Sequence, residues 1–266
     1  MPQTALSPIR YDEPRLTPIP AFRPSAWSRS SGKRCFDIAA ATALLLPVAP
    51  LIPLIMLLIK LDSPGPAFYI HHRCGIGGAD FHMFKFRTMQ TEKNGFNVSL
   101  TRAGDARITR VGRLLRKWKL DEIPQLWNVL RGDMSIVGPR PHLRRLLGQG
   151  SEVRQFLSIR PGVTGAATVF FRHEEEILPK NIREEELESY YIETILPKKM
   201  KLDVDYAARA TFRSDMVLLF STAIEVIFRH GSWTRPVHPT SHQAIPINSA
   251  ILANENLARQ QDTLAG

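Results

Sequence analysis

Residues 38–59 (IAAATALLLPVAPLIPLIMLLI) form a run of 22 positions without a charge, flanked by Lys33, Arg34 and Asp37 before it and Lys60 after it. That length meets the requirement for a helix through the hydrocarbon of a bilayer. Pro47, Pro50 and Pro53 fall in the middle of the run, and each removes a backbone donor and crowds the preceding turn. The pattern therefore predicts a helix kinked or broken at these prolines. Both flanks are basic, the downstream one more so, and the positive-inside tendency asks for both ends in the cytoplasm. A re-entrant helix that bends at the prolines and returns to the face it entered meets that demand; a kinked single-pass helix with a short tail outside is the rival.

Beyond the run, residues 67–73 and 80–87 are two short segments rich in Phe, Tyr and Ile, separated by Gly75, Gly77 and Gly78, the signature of a β-hairpin. Over residues 107–119, Ile108, Val111, Leu115 and Trp118 recur at helical spacing, while Arg107, Arg110, Arg113, Arg116, Lys117 and Lys119 carry the other positions without one acid. This predicts a basic amphipathic helix, suited either to anionic headgroups or to an ordinary solvated face on a core. Residues 215–228 form a second amphipathic stretch, apolar enough for the core or a membrane interface. The acid clusters at residues 174–176 and 184–186 read as solvated helix faces.

Residues 1–32 are rich in Pro, Ser and Arg without apolar periodicity or a signal-peptide core, and residues 231–266 mix Pro, His, Ser, Asn and Gln. Both are expected to be tails. The chain then divides into tail 1–32, membrane helix 33–62, catalytic domain 63–230 and tail 231–266. The fold class is α+β, with the hairpin and interfacial helices around a compact cytoplasmic domain.

The 266 residues carry a net charge of +10 and are 44% hydrophobic, which excludes a disordered chain and calls for an anionic partner. Residues 33–119 hold 14 Lys or Arg against 5 Asp or Glu, nearly all of that excess. Two cysteines, Cys35 and Cys74, make no disulfide framework and suit a reducing compartment.

Chemistry concentrates in residues 120–141, LDEIPQLWNVLRGDMSIVGPRP. Alone, Asp121 and Glu122 ahead of Pro124 would complement a helix dipole. Their surroundings point elsewhere. Arg140 is held between Pro139 and Pro141, a stiff turn able to present a guanidinium to phosphate, and Arg160-Pro161-Gly162 repeats the device. Lys85 and Arg87, at the end of the hairpin, and Arg116 add cations. An Asp and a Glu among cations suit Mg²⁺, which takes one or two carboxylates plus substrate phosphates, with Asp121 as the metal ligand. Adjacent carboxylates on a helix point about 100° apart, so one is free to act as nucleophile while the other manages metal or proton.

These residues resemble the bacterial sugar transferases, the monotopic polyprenyl-phosphate phosphoglycosyltransferases. The likeness runs over residues 33–229: Lys33-Arg34-Cys35-Phe36-Asp37, Ser63-Pro64-Gly65-Pro66, Lys85-Phe86-Arg87-Thr88-Met89, Asp105-Ala106-Arg107-Ile108-Thr109, then Leu120-Asp121-Glu122-Ile123-Pro124-Gln125-Leu126-Trp127-Asn128. Gly132-Asp133-Met134-Ser135, Val137-Gly138-Pro139-Arg140-Pro141 and Arg160-Pro161-Gly162-Val163-Thr164-Gly165 complete it. The resemblance implies a re-entrant helix broken at Pro50 at the cytoplasmic face of a bacterial inner membrane. It implies Asp121 as nucleophile toward a UDP-sugar, Glu122 as its partner, Arg140 as a phosphate ligand, and Lys85 and Arg87 at the phosphate or lipid-headgroup site; Arg116 and Arg160 are further candidates for binding phosphate.

The implied acceptor is polyprenyl (undecaprenyl) phosphate and the implied pathway a lipid-linked glycan such as exopolysaccharide, with Mg²⁺ as cofactor. Membrane lipid is an expected partner, nucleic acid is not, and a homo-oligomer is compatible with the pattern. His71 stands where many members have Gln, and Ala166-Ala167-Thr168 where many have Trp-Ala-Gln, so the pocket differs there. A membrane-anchored basic protein that binds nucleic acid or an anionic polymer also accounts for the charge, but leaves Asp121, Glu122 and the Arg-Pro turns without a role.

Overall fold

The computed structural model describes residues 22–90, 101, 104–172, 174, 178–179 and 183–228. The tail expected over residues 231–266 lies outside them, as does most of the one expected over residues 1–32. From Ser25 that first segment is already fastened: Ser25 N donates to Ala207 O at 2.9 Å, and Trp27 Nε1 donates to Asp215 Oδ2 at 2.9 Å. The Trp27 ring also meets Phe212 edge-on at 5.5 Å. An indole with a buried partner and an aromatic neighbour is a packing residue, which the Pro and Ser around it concealed.

Helix α1 (Ser31–Val48) starts on Ser30, whose side chain accepts from Lys33 N, and passes through a 3-10 turn (Ala49–Leu51) into α2 (Ile52–Asp62). The change of winding falls among Pro47, Pro50 and Pro53, where three backbone donors are missing. The combined run of 32 residues is long and apolar enough to cross a membrane, and only 11% of its most apolar window is buried. Leu46, Leu51, Leu54, Leu57 and Leu61 are all exposed.

Both ends of this run fasten to the same body. Near the start, the guanidinium of Arg34 donates to Val129 O and Leu130 O at 2.6 and 2.8 Å, satisfying carbonyls at the end of helix α4 (Gln125–Arg131). Buried Asp37 accepts from Lys33 Nζ (3.0 Å), Ser135 Oγ (2.9 Å) and Ile136 N (3.0 Å), and Lys33 also pairs with buried Asp215 at 2.8 Å. At the far end, Ile55 and Ile59 pack with Ala67, Phe86 and Leu115. Asp62 Oδ2 accepts from Val111 N at 2.8 Å, and the carbonyl and hydroxyl of Ser63 accept from Arg87 Nη2 at 2.7 and 3.0 Å.

The hairpin of β1 (Phe68–Cys74) and β2 (Asp80–Phe86) is antiparallel, pairing Tyr69 with Lys85, His71 with Met83 and Arg73 with Phe81. The basic amphipathic segment is helical over a shorter span than residues 107–119. Thr109 caps α3 (Arg110–Lys117) by accepting from Gly112 N at 3.0 Å, and Arg107 sits in the preceding turn against Asp105. Gly112 is required because a Cβ there would lie 2.0 Å from Thr88 O. Strands β3 (Ser135–Val137) and β4 (Gly162–Thr164) form a short parallel pair, linked through α5 (Ser151–Leu157), and β4 leads into α6 (Ala166–Phe170).

The last part is helical: α7 (Glu184–Tyr190), a π turn (Tyr191–Ile195), α8 (Leu196–Arg209) and α9 (Phe212–Phe228). The π turn precedes Pro197, which cannot donate to Glu193 and would crowd its carbonyl in a regular helix. Its second core gathers Leu146, Phe156, Leu187, Tyr191, Ile195, Leu196 and Met200. The expected solvated acids are partly paired instead: Glu174 holds buried Lys199 at 2.6 Å. On α9, Leu218 and Asp215 face inward while Phe212, Val217, Phe220 and Ile224 are exposed.

Candidate active site

The chain reverses at Lys119, a non-glycine residue in the left-handed region (φ 54°) just after α3. That conformation costs about 1–2 kcal/mol for an L-residue. It lets Lys119 O accept from Glu122 N (3.2 Å) and winds Leu120–Glu122 into a 3-10 turn ahead of α4. The turn sends the two adjacent carboxylates into different surroundings.

Glu122 Oε1 accepts from Lys85 Nζ and Arg140 Nη2, each at 2.8 Å. Burial pushes its carboxyl up, but Arg140, Lys85 and Lys119 outweigh this and hold it well below the usual carboxylate range. Asp121 is buried, with Oδ1 enclosed and without a hydrogen-bond partner. Burial pushes its carboxyl above the usual range, opposed by Lys85, Lys119 and Arg116, while Glu122 adds to the rise. One carboxylate is thus held by two cations, and the other is buried with Oδ1 left without a partner.

Arg140 reaches Glu122 because the two Arg-Pro turns cross at van der Waals contact. Gly162 N donates to Pro139 O at 2.8 Å, Gly138 N to Thr164 O at 2.9 Å, and Ser135 N to Pro161 O at 2.8 Å. A Cβ on Gly162 would stand 2.1 Å from Gly138 N, and one on Gly165 2.1 Å from Gly138 O. Asp203 of α8 ties the arrangement from behind, its Oδ2 accepting from Arg140 N (3.3 Å) and its Oδ1 from Ala167 N (2.8 Å). Its burial pushes that carboxyl up to about 7.

The structure therefore brings Asp121, Glu122, Lys85 and Arg140 together. Arg116 donates from Nε to Thr88 Oγ1 at 3.0 Å, and its charge acts on Asp121. Arg87 turns the other way, onto Ser63 at the end of α2, with Nε and Nη1 buried and unpartnered. Arg160 contributes its backbone carbonyl to the close approach at Gly138, while its Nε is buried without a partner; it makes no ion pair with Asp121 or Glu122 among the described residues.

Sequence reading missed four residues here. Arg73 lies two residues beyond His71 and four beyond Tyr69 on β1, on the face that carries Lys85 across the hairpin. Strand alternation was the signal available. Asp203, Lys199 and Tyr191 come from the far end of the chain, and no local pattern ties them to Arg140. Tyr191 OH accepts from Lys199 Nζ at 3.3 Å, and the charge of Glu174 on the same lysine acts on Arg140.

Among the described residues, no group of three or more His, Cys, Asp or Glu side chains is placed to hold a metal alone. The unpartnered Oδ1 of Asp121 fits an ion that takes most of its ligands from substrate phosphate and water, as Mg²⁺ does.

Residues 28–229 match the family described as "Bacterial sugar transferase". A Caulobacter vibrioides protein named UDP-glucose:undecaprenyl-phosphate glucose-1-phosphate transferase is 48% identical over 141 residues, 52% of this chain and 53% of its own length. The Escherichia coli K12 protein of the same name is 39% identical over 201 residues, 73% of this chain and 39% of its own length. Exopolysaccharide production protein ExoY of Rhizobium meliloti is 35% identical over 217 residues, 76% of this chain and 88% of its own length. The chain thus spans about half or less of the first two and most of the third. With the matched segment running from the fastened Trp27 region to the end of α9, the chain belongs to the bacterial sugar transferase family.

Proposed function

We propose that this protein transfers a sugar-1-phosphate from a UDP-sugar to a membrane polyprenyl phosphate, releasing UMP and starting a lipid-linked glycan of the exopolysaccharide kind. The observation that carries this reading is the unequal pair: a doubly held Glu122 beside an open, buried Asp121. In the reaction, a carboxylate oxygen of Asp121 attacks the β-phosphorus of the donor, and the bond from that phosphorus to the bridging oxygen breaks. UMP departs with the electron pair, leaving a sugar-phosphoryl aspartate. An oxygen of the polyprenyl phosphate then attacks the same phosphorus, and Asp121 leaves as the carboxylate.

Each residue has a part that its surroundings support. Lys85 and Arg140 both lie on Glu122, so two cations stand preorganised where diphosphate charge would come to rest. Glu122, ionised and doubly paired, is the support that keeps them there. Asp121 needs its proton off to attack; Lys85, Lys119 and Arg116 favour the charged form against the cost of burial. Asp121 is the residue that would hold Mg²⁺, which when bound supplies charge neutralisation to the donor diphosphate.

The apolar run is the membrane element, and we read it as re-entrant. A straight helix of its 32 residues would be about 48 Å long, longer than a bilayer core is thick. Arg34 and Asp37 at one end, and Ile59, Asp62 and Ser63 at the other, nevertheless fasten to the same body. That supports a bend at the prolines with both ends at one face, the cytoplasmic face of the inner membrane by the charge of the flanks. The lipid phosphate would then meet Asp121 at membrane depth.

The test presents purified full-length protein, Mg²⁺ and polyprenyl phosphate with a panel of UDP-sugars and measures UMP release. Turnover with one donor, abolished by Asp121→Asn in a protein that still partitions to membranes, is the expected result. Absence of UMP release from every donor, or undiminished turnover by the variant, contradicts it.

A further inference from the structure

One face of the hairpin carries Tyr69, His71 and Arg73 from β1 and Lys85 from β2; Lys85 holds Glu122, and the charges of Arg140 and Glu122 act on Arg73. The cations there are unevenly provided for. Glu122 takes up Lys85 and Arg140, and Glu174 takes up Lys199. Among the described residues Arg73 makes no ion pair, although the charge of Glu122 acts on it: its one hydrogen bond is a long one, from Nη1 to Pro141 O at 3.5 Å, and its Nε is enclosed without a partner. Burial, with Arg140 beside it, lowers the guanidinium to about 10. His71, stacked on Tyr69 at 5.3 Å, is held neutral near 4 chiefly by burial and then by Arg73 and Lys85, and its Nδ1 is unpartnered too. A half-buried guanidinium with an enclosed, unpartnered Nε gains from a ligand that supplies an anion, and its fork of parallel donors matches phosphate.

We propose that Arg73 is a substrate-binding residue that takes a phosphate oxygen of the donor's nucleoside diphosphate, distinct from the cations on Glu122. This rests on the reading of the protein as a UDP-sugar transferase. Two phosphate sources meet at this site, the donor and the lipid, and the strand tells them apart. β1 starts beside Ala67, which packs on Ile55 and Ile59 of α2, and Arg73 lies five residues along it from Phe68, roughly 16 Å. Lys85, opposite Tyr69, stands nearer that α2 end of the hairpin than Arg73 does. A lipid phosphate tethered to the bilayer reaches the Lys85 end first. The Arg73 end, farther from α2, is left to the soluble nucleotide.

The experiment uses the full-length protein with Mg²⁺ and without polyprenyl phosphate, and titrates UDP, which carries no sugar to transfer and whose uridine and two phosphates are common to every candidate donor. Arg73→Gln is expected to weaken UDP binding at least ten-fold, and Arg73→Lys several-fold, because a point charge lacks the fork. In the otherwise wild-type enzyme, Arg73→Gln should raise the KM for the UDP-sugar while that for polyprenyl phosphate stays within about two-fold. Unchanged UDP affinity, or a rise confined to the KM for polyprenyl phosphate, overturns the assignment. Failure of UDP to bind the parent protein overturns the donor reading itself, which separates the two claims. Should Arg73→Gln not fold, phenylglyoxal labelling of the unsubstituted protein carries the test by mass spectrometry: UDP should protect Arg73 and farnesyl phosphate should not, and equal labelling with and without UDP overturns the assignment.

Discussion

Asp121 and Glu122 are adjacent in the chain, yet Glu122 Oε1 accepts from two cations at 2.8 Å each while Oδ1 of Asp121 is buried with no partner. The left-handed Lys119 and the 3-10 turn after it produce this division, which gives the pair one supporting and one reactive member.

Replacing Glu122 by Gln keeps an acceptor but removes the charge between Lys85 and Arg140. We expect UMP release to fall about 100-fold or more, the size of effect seen when a preorganised electrostatic contact is lost. The pair is partly exposed, so the stability cost should be only about 1–3 kcal/mol. Thermal unfolding in detergent, set beside the activity, checks both; a variant as active as the parent contradicts the supporting role.

The crossing of the Arg-Pro turns makes a second prediction. Gly162→Ala sets a Cβ against Gly138 N, backbone that has nowhere to move, and should cost about 2–4 kcal/mol along with most of the activity. Gly148→Ala is the control: a Cβ there meets nothing within 4 Å, and the change should stay within about 0.5 kcal/mol. Equal melting temperatures for the two variants contradict the account of Arg140's placement.

Asp203 makes stability depend on pH in a defined direction. Its folded carboxyl is raised to about 7, above an unfolded value of about 3.9, so the folded state binds the extra proton between those limits. Its contribution is therefore full below about pH 4 and is lost as pH rises through about 7, an effect of about 4 kcal/mol. Melting temperatures taken from pH 4.5 to 8 should fall more steeply for the parent than for Asp203→Asn. Parallel slopes contradict this.

For the membrane run, single cysteines replacing Arg29 and exposed Leu61 report on topology, in a background where exposed Cys35 is Ser and Cys74 stays buried. Both should resist an impermeant thiol reagent in intact cells and label after lysis. Labelling of the cysteine at 29 from outside selects the single-pass arrangement.

How far the sequence disclosed all this depended on the range of the interaction. The hairpin followed from alternation and glycines, and its ends came within a residue of Phe68–Cys74 and Asp80–Phe86. The change of winding in the apolar run followed from three prolines. Arg87 was grouped with Lys85 because they are two residues apart, but the strand ends at Phe86 and Arg87 turns onto Ser63. Helix α3 fell short of residues 107–119 because Thr109 caps it and Lys119 leaves the helical region, both of which a count of apolar positions overlooks. Asp37, Asp203 and Asp215 each meet partners nearly forty or more residues away, so nothing local could mark them as fastenings.

The most direct measurement of the central claim is to incubate the protein with Mg²⁺ and its UDP-sugar, labelled in the β-phosphate, without any polyprenyl phosphate, and then to digest and map the label. The account predicts up to one equivalent of UMP released, label on the peptide that contains Asp121, its discharge on addition of polyprenyl phosphate, and none of this in Asp121→Asn. Turnover that requires both substrates together, with no label on the protein, would contradict it.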